Sequence, residues 1–290
     1  MDSQRRTSQN IFSAMVLISW TYLRAQWRFF RWRRTLLNYL KAVESKQVRM
    51  KQTLLIVRHG QTTWNVEHRL PGQLPGVALN DTGREQAERL AEALKVLPVS
   101  SIISSPLERA LNTAEYIARI HSLEIYKEPA LMDTNVGRWA GQTIEEVSKN
   151  DPDWKEYVKN PTIAPEGIET FPQVEQRVIA AVEQWLARDD IGAYPTFVAH
   201  ADVVKLLLAH YMGLDASRAG TLHIDNASVS LVELDTEHKD QQPHIVAVGW
   251  TPKPGWLKVP TSEEKKPVQE QKSADAQQGQ EAQEAGEQKS

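Results

Sequence analysis

The run Leu54-Leu55-Ile56-Val57, followed at once by Arg58-His59-Gly60, is the feature that most limits what this chain can become. Four consecutive apolar residues without polar alternation read as a strand buried on both faces, the kind found in sheets covered by helices on either side. A guanidinium and an imidazole directly after such a strand stand at its carboxyl end, where open α/β sheets hold their ligands. Gly60 allows close approach of the backbone to a ligand. Alone, an Arg-His-Gly tripeptide is usually a solvated turn. Its position after a buried strand is what points to a site.

Further short apolar runs repeat the strand pattern: Ile102-Ile103, residues 124–127, Thr196 to Ala199, Ala227 to Leu234 and Ile245 to Val248. Helical periodicity lies between them. Ala87, Leu90, Ala91 and Leu94 share one face of a helix that Thr82-Gly83-Arg84-Glu85 would open as a capping box and Pro98 would close. A second box is predicted at Ser105-Pro106-Leu107-Glu108, with Ser105 as cap and Pro106 in the first position. Its helix presents Leu107, Ala110, Leu111, Ala114, Ile117 and Ala118. Long amphipathic patterns follow at residues 171–188 and 202–211. Strands alternating with helices predict an α/β fold with its sheet covered on both faces, in an order the pattern does not specify.

Residues 129–170 interrupt this regularity with four prolines and three glycines. Short helices are expected near 142–149 and 152–159. The segment is read as an insert that roofs the site and sets specificity.

Composition bounds the chemistry. A chain of 290 residues, 41% hydrophobic and 24% charged, suits one α/β domain (residues 50–258) with extra segments at its ends. There is no cysteine, so disulfides, thiolate zinc sites and thiol nucleophiles are excluded. The net charge of -3 is uneven: residues 1–49 carry ten Lys/Arg and two Asp/Glu, a local +8 that leaves -11 for the rest. No nucleic-acid role is indicated for the protein as a whole.

Within residues 1–49, the apolar run from Ile11 to Leu23 is shorter than the roughly 20 residues a bilayer-spanning helix needs. Interleaved basic and aromatic residues follow it, from Arg24 to Arg34. Residues 11–40 therefore suit a helix lying at a membrane surface. Two other readings stand beside that one: a targeting segment, and a start at Met50, immediately before the first strand, with the upstream part arising from gene calling. The expected location is cytoplasmic, with membrane association if residues 1–49 are genuine. Residues 259–290 are Gln-, Glu-, Lys- and Ala-rich and are expected to be a disordered tail.

Two further residues complete the candidate site. Arg109 falls in the first turn of its helix, where a cation opposes the helix dipole. An anion between the two would explain that placement, and the arginine fork suits phosphate oxygens. His200 follows Phe197-Val198-Ala199 as His59 follows its own strand, and a helix begins at once, so its amides can help hold an anion. Ordinary readings exist for both residues: a surface Arg109 paired with Glu108 or Glu115, and a helix-capping His200.

Leu55 to Thr62 with Trp64-Asn65, Ser104 to Ala110 with Thr113-Ala114-Glu115, Leu131-Met132-Asp133 through Gly137, Trp139 and Gly141, Val198-Ala199-His200-Ala201, and Asn226 to Val229 occur in the order found in one family. They resemble the signature blocks of the histidine phosphatase superfamily, phosphoglycerate mutase-like branch, over about residues 52–235. Several separate blocks in order are far more specific than one motif. The resemblance implies a three-layer α/β/α sandwich with a mostly parallel central sheet. It implies that His59 attacks phosphorus and becomes phosphohistidine, and that Arg58, Arg109 and His200 neutralise the phosphoryl oxygens. Asn65, Gln61 and Thr62 would add substrate contacts, and Asp133 would serve as the acid and then the base. Neither a metal nor another cofactor is implied, because the arginines take that role.

Three departures bear on this expectation. The family usually has Glu where this chain has Asp133, one methylene shorter, which makes Asp202 a fallback acid whose ordinary role would be a helix N-cap. A glycine common after the second histidine is Ala201. The insert reads Pro165-Glu166-Gly167-Ile168-Glu169-Thr170, similar to that of broad phosphatases, and lacks the basic Arg-Arg-Ser-Tyr element of mutases. Hydrolysis of a small phosphate ester is therefore favoured. Mutase-type transfer and an inactive phospholigand-binding protein, tethered through residues 1–49, are the alternatives.

Overall fold

The computed structural model describes residues 51–235 and 241–252. The expected N-terminal extension and polar tail lie outside the described residues. Six strands form one sheet: β1 (Lys51–Arg58), β2 (Ser101–Ser104), β3 (Ile125–Lys127), β4 (Pro195–Ala199), β5 (Val229–Asp235) and β6 (His244–Trp250), in the order β3-β2-β4-β1-β5-β6. β1 to β4 run parallel to one another, while β5 pairs antiparallel with both β1 and β6. The sheet is thus mostly parallel, with β5 reversed.

Successive side chains of a strand point to opposite faces. Leu54 and Ile56 of β1, with Ile103 and Phe197, join one core shared with α6 (Phe171–Leu186) and α7 (Ala201–Tyr211). Leu55 and Val57, with Ile102 and Val198, join the other, shared with α2 (Asp81–Leu94) and α3 (Glu108–His121). Two cores on opposite faces make the three-layer sandwich, and they explain why β1 is apolar at every position from Leu54 to Val57.

The predicted helix starts need correction. α2 begins one residue before Thr82, and its cap is Asn80, whose side chain accepts from the Gly83 amide at 2.8 Å. α3 begins at Glu108 after an N-cap position held by Leu107, which makes no side-chain cap. Ser105 turns elsewhere, as described below, and Glu108 accepts from the Gly76 amide at 2.9 Å instead of closing a box. Gly83 is fixed by crowding: a Cβ there would lie 2.0 Å from the Gln61 carbonyl oxygen, so α2 meets the loop after β1 backbone to backbone.

Residues 129–170 hold two 3-10 turns, Pro129–Leu131 and Gly137–Trp139, and two short helices, α4 (Ile144–Asn150) and α5 (Pro152–Lys159). Trp139, Trp154, Tyr157 and Phe171 pack ring against ring beneath this layer. A four-residue helix, α1 (Thr63–Val66), leads from β1 toward it.

Candidate active site

β1 and β4 are neighbours in register, Arg58 opposite Ala199, and the His59 amide donates to the Ala199 carbonyl at 3.0 Å. Both strands therefore end at one level, which brings two residues 141 positions apart into contact. The His59 and His200 ring centroids lie 5.2 Å apart. β2 ends on the same side, where the Ser105 amide donates to Val198 at 3.0 Å, and α3 then carries Arg109 back toward the two rings.

Next to these strand ends lies a cleft of about 340 Å³. Arg58, His59, Asn65, His68, Arg69, Asp133, Thr134, Asp202 and Asn226 supply its polar lining, and Trp64, Leu70, Pro71, Val136 and Ile144 supply apolar surface. Arg109 and His200 have no exposed surface and meet this lining through Asp133. The Asp133 Oδ2 lies 3.1 Å from Arg109 Nη2 and 3.8 Å from His200 Nδ1.

The hydrogen bonds define what each group has to offer. His59 Nδ1 faces the Gly60 carbonyl at 2.7 Å; a carbonyl only accepts, so Nδ1 carries the proton and Nε2 keeps its lone pair. Asn65 accepts through Oδ1 from the Thr62 amide at 3.0 Å and from Asn226 Nδ2 at 3.2 Å, which leaves its NH2 as the group offered to the cleft. Arg58 donates to the Ile224 carbonyl at 2.6 Å. Arg109 donates through Nη2 to the Gly72 carbonyl at 2.7 Å and to Asp133. Its Nε and Nη1 are buried with no hydrogen-bond partner among the described residues, as are Arg58 Nε and His200 Nδ1. Buried donors left unpaired cost on the order of 1–3 kcal/mol each, more when charged. A tetrahedral anion among them would remove that cost.

The pairing of Arg109 with Asp133 replaces the surface pairing with Glu108 or Glu115. Asp202 occupies the first turn of α7, whose N-cap position belongs to His200 with no side-chain cap, so the predicted capping role is not what the fold uses. Asp202 instead lines the cleft and accepts from the Thr134 hydroxyl at 3.3 Å. Gln61 and Thr62 do not line the cleft. Thr62 closes a capping box with Asn65, and Gln61 Oε1 accepts from Asn80 at 3.1 Å.

Sequence reasoning missed Arg177 on α6. It donates to the carbonyls of Ala130 (2.6 Å), Met132 (2.9 Å) and Asp133 (3.0 Å) and grips Glu169 through Nε and Nη2 at 2.8 and 2.9 Å. That clamp fixes the backbone from which Asp133 projects. An arginine within an amphipathic helix gives no local sign of this; only the contact with a segment more than 40 residues earlier does.

Burial, reinforced by Arg109, holds the His59 and His200 pKa values well below the usual histidine range, and Arg58 adds to the effect at both. Burial raises that of Asp133, with Asp202 adding to the rise and Arg109 opposing it. For the histidines the sign is set by proton counting. As pH falls below about 6.5 the unfolded chain takes up protons that the folded imidazoles exclude, so stability drops by about 1.4 kcal/mol per pH unit for each residue. The melting temperature is expected to be lower at pH 5.5 than at pH 7.5, and a His59→Gln/His200→Gln double variant should show a smaller difference. A wild-type melting temperature that rises over the same acid step would overturn this.

The histidine phosphatase superfamily (branch 1) model matches residues 54–249. The chain belongs to that superfamily. Histidine phosphatase relatives include proteins named probable phosphoglycerate mutase GpmB from Shigella boydii and Escherichia coli, each 33% identical over 199 residues, 67% of this chain and 88% of theirs. Among solved histidine phosphatases, Bacillus stearothermophilus YhfR aligns with a TM-score of 0.63 at 30% identity over 68% of this chain and 96% of its own. Mycobacterial glucosyl-3-phosphoglycerate phosphatase Rv2419c, in complex with VO3, aligns with a TM-score of 0.57 at 30% identity over 62% and 92%. No group of three or more His, Asp or Glu residues able to hold a metal ion occurs among the described residues, and no helix among them is long and apolar enough to cross a membrane.

Proposed function

We propose that this histidine phosphatase hydrolyses a small phosphate monoester through a phosphohistidine formed on His59. The observation that carries the reading is the set of unpaired buried donors on Arg58, Arg109 and His200 beside His59, whose Nε2 is free: the two rings lie 5.2 Å apart and both arginines act on the His59 ring. Such a set suits three phosphoryl oxygens around a phosphorus in line with a nucleophile. In this reading, the substrate dianion takes the Arg109 donors that Asp133 now shares. Losing that cation and gaining a nearby dianion both raise the proton affinity of Asp133, so binding itself prepares the acid. Asp133 protonates the departing alkoxide as the Nε2–P bond forms. It then removes a proton from water, whose oxygen attacks phosphorus and frees His59 and inorganic phosphate. Thr134, Val136 and Ile144 of the roofing segment would select the alcohol.

Two of the relatives point in different directions, to a mutase and to a phosphatase. Hydrolysis is favoured because the insert lacks the Arg-Arg-Ser-Tyr element that mutases use for a carboxylated sugar phosphate. The deciding experiment runs a panel of phosphate esters, 3-phosphoglycerate included, and follows both free phosphate and isomerised ester. Release of phosphate is the expected result; isomerisation without release would replace this reading with the mutase one. Esters bound but unchanged, with no phosphohistidine trapped, would replace it with the binding-protein one.

If Arg177 carries Asp133 into reach, Arg177→Met should lower kcat about 10- to 100-fold for alkyl phosphates, whose leaving groups need a proton. It should lower it far less for p-nitrophenyl phosphate, whose leaving group does not. An equal loss on both would refute the clamp's connection to the acid. The membrane-surface reading of residues 11–40 and the cytoplasmic location belong to the same proposal. Fractionation of cells expressing the full chain and a chain starting at Met50 tests both.

A further inference from the structure

His200 Nε2 lies 2.8 Å from the hydroxyl of Ser105, and both residues are wholly buried. That contact alone leaves the direction of the proton open, since a hydroxyl donates or accepts. A second contact closes it. The Leu107 amide donates to the same hydroxyl oxygen at 3.3 Å. If Nε2 carried the ring proton, Ser105 would receive two hydrogens and its own would point at no acceptor. Nδ1 would then turn a lone pair toward the Asp133 carboxylate oxygen 3.8 Å away. If Nδ1 carries it, Leu107 N–H points to Ser105 and Ser105 O–H to Nε2, while Nδ1–H faces the Asp133 carboxylate oxygen, 3.8 Å away and too far for a hydrogen bond, so that it is left for a bound anion. The first arrangement is the costlier, because besides stranding the Ser105 hydrogen it sets a nitrogen lone pair against a carboxylate where water does not screen them, whereas the second turns an N–H toward that carboxylate.

We infer that Ser105 is a positioning residue that fixes the tautomer of His200, so that a neutral imidazole presents Nδ1–H to the bound anion. The two histidines of the site then use opposite nitrogens, each set by a different partner: His59 gives its Nδ1 proton to Gly60 and keeps Nε2 as the lone pair, while His200 receives at Nε2 and donates at Nδ1. His200 acts as a hydrogen-bond donor rather than as a third cation. The strong downward pull that burial, Arg109, His59, Arg58 and Arg177 exert on its pKa agrees with that. Ser105 does not cap α3: its hydroxyl oxygen accepts from the amide of Leu107, the N-cap residue itself, and its hydrogen goes to the ring.

The inference rests on the anion-binding reading of the site, and its test reads the ring directly, without turnover. Nitrogen-15 NMR of the full chain should show His200 neutral at pH 7.5, with Nδ1 protonated and Nε2 as an acceptor; Ser105→Ala should shift the ring toward the other tautomer. Inorganic phosphate should bind Ser105→Ala about ten- to a hundredfold more weakly, the loss typical of one hydrogen bond to a charged group. Ser105→Thr, which keeps the hydroxyl, should restore both. A wild-type His200 that is cationic or protonated only at Nε2 overturns the inference even if the protein proves to be a phosphatase. So does an unchanged tautomer in a folded Ser105→Ala variant. Failure of the phosphatase reading leaves the tautomer result standing.

Discussion

His59→Ala is expected to lower the rate on every accepted phosphate ester by about 10⁴-fold or more, the scale seen when a nucleophile acting in concert with other groups is removed. Arg58, Arg109 and His200 stay in place, since strand pairing and α3 hold them independently of the imidazole. The variant should therefore still bind inorganic phosphate within about tenfold of the parent. It should accumulate no alkali-stable label when quenched after mixing with a phosphorus-labelled ester, whereas the parent should. Activity within tenfold of the parent, or label retained on the variant, would move the nucleophile elsewhere.

Arg109→Lys is expected to be nearly as damaging, although it keeps the charge. The guanidinium answers the Gly72 carbonyl and Asp133 through Nη2 while Nε and Nη1 stay open. One ammonium cannot reproduce that spread of donors. The loss in kcat/KM should reach about 10²–10³-fold, the range for removing a donor aimed at developing charge. Asp133 would also lose its hydrogen bond from Nη2 while a cation stays nearby, so the optimum for alkyl phosphates should move slightly to higher pH as its proton is held more tightly. The direction follows from Arg109 opposing the rise in the Asp133 pKa. Phosphate binding and turnover equal to the parent's would show that Arg109 serves packing alone.

Much of this site was legible because its chemistry sits at strand ends. Leu54 to Val57 and Phe197 to Ala199 announce buried strands, and a residue directly after a buried strand has little freedom about where it lies. Arg109 was legible through a local oddity, a cation in the first turn of a helix. What escaped was whatever depends on the third dimension. Ser105 carries all the signs of a cap, yet its hydroxyl is taken by a histidine 95 residues away. Asp202 likewise looked like a cap and lines the cleft. Thr62 and Gln61 lie inside the signature and turn their side chains to the cap of α1 and to Asn80 at the start of α2. Arg177 left no trace in the pattern because the carbonyls it grips carry no side-chain signature. Strand order was equally silent, since β4 becomes the neighbour of β1 only through crossovers that periodicity does not encode.

Arg177 and Asp133 lie on opposite sides of a border between two kinds of structure. His59 and His200 stand at the ends of two paired central strands, but Asp133 and the Glu169 that Arg177 grips belong to the segment that shapes the cleft wall. An engineer who exchanged that segment for one from a relative, hoping to retune selectivity alone, would exchange the proposed proton donor and half of its anchor as well. Selectivity and turnover in this protein are therefore expected to evolve together, and grafts should succeed only when residue 177 and its new carbonyl partners are redesigned with the roof.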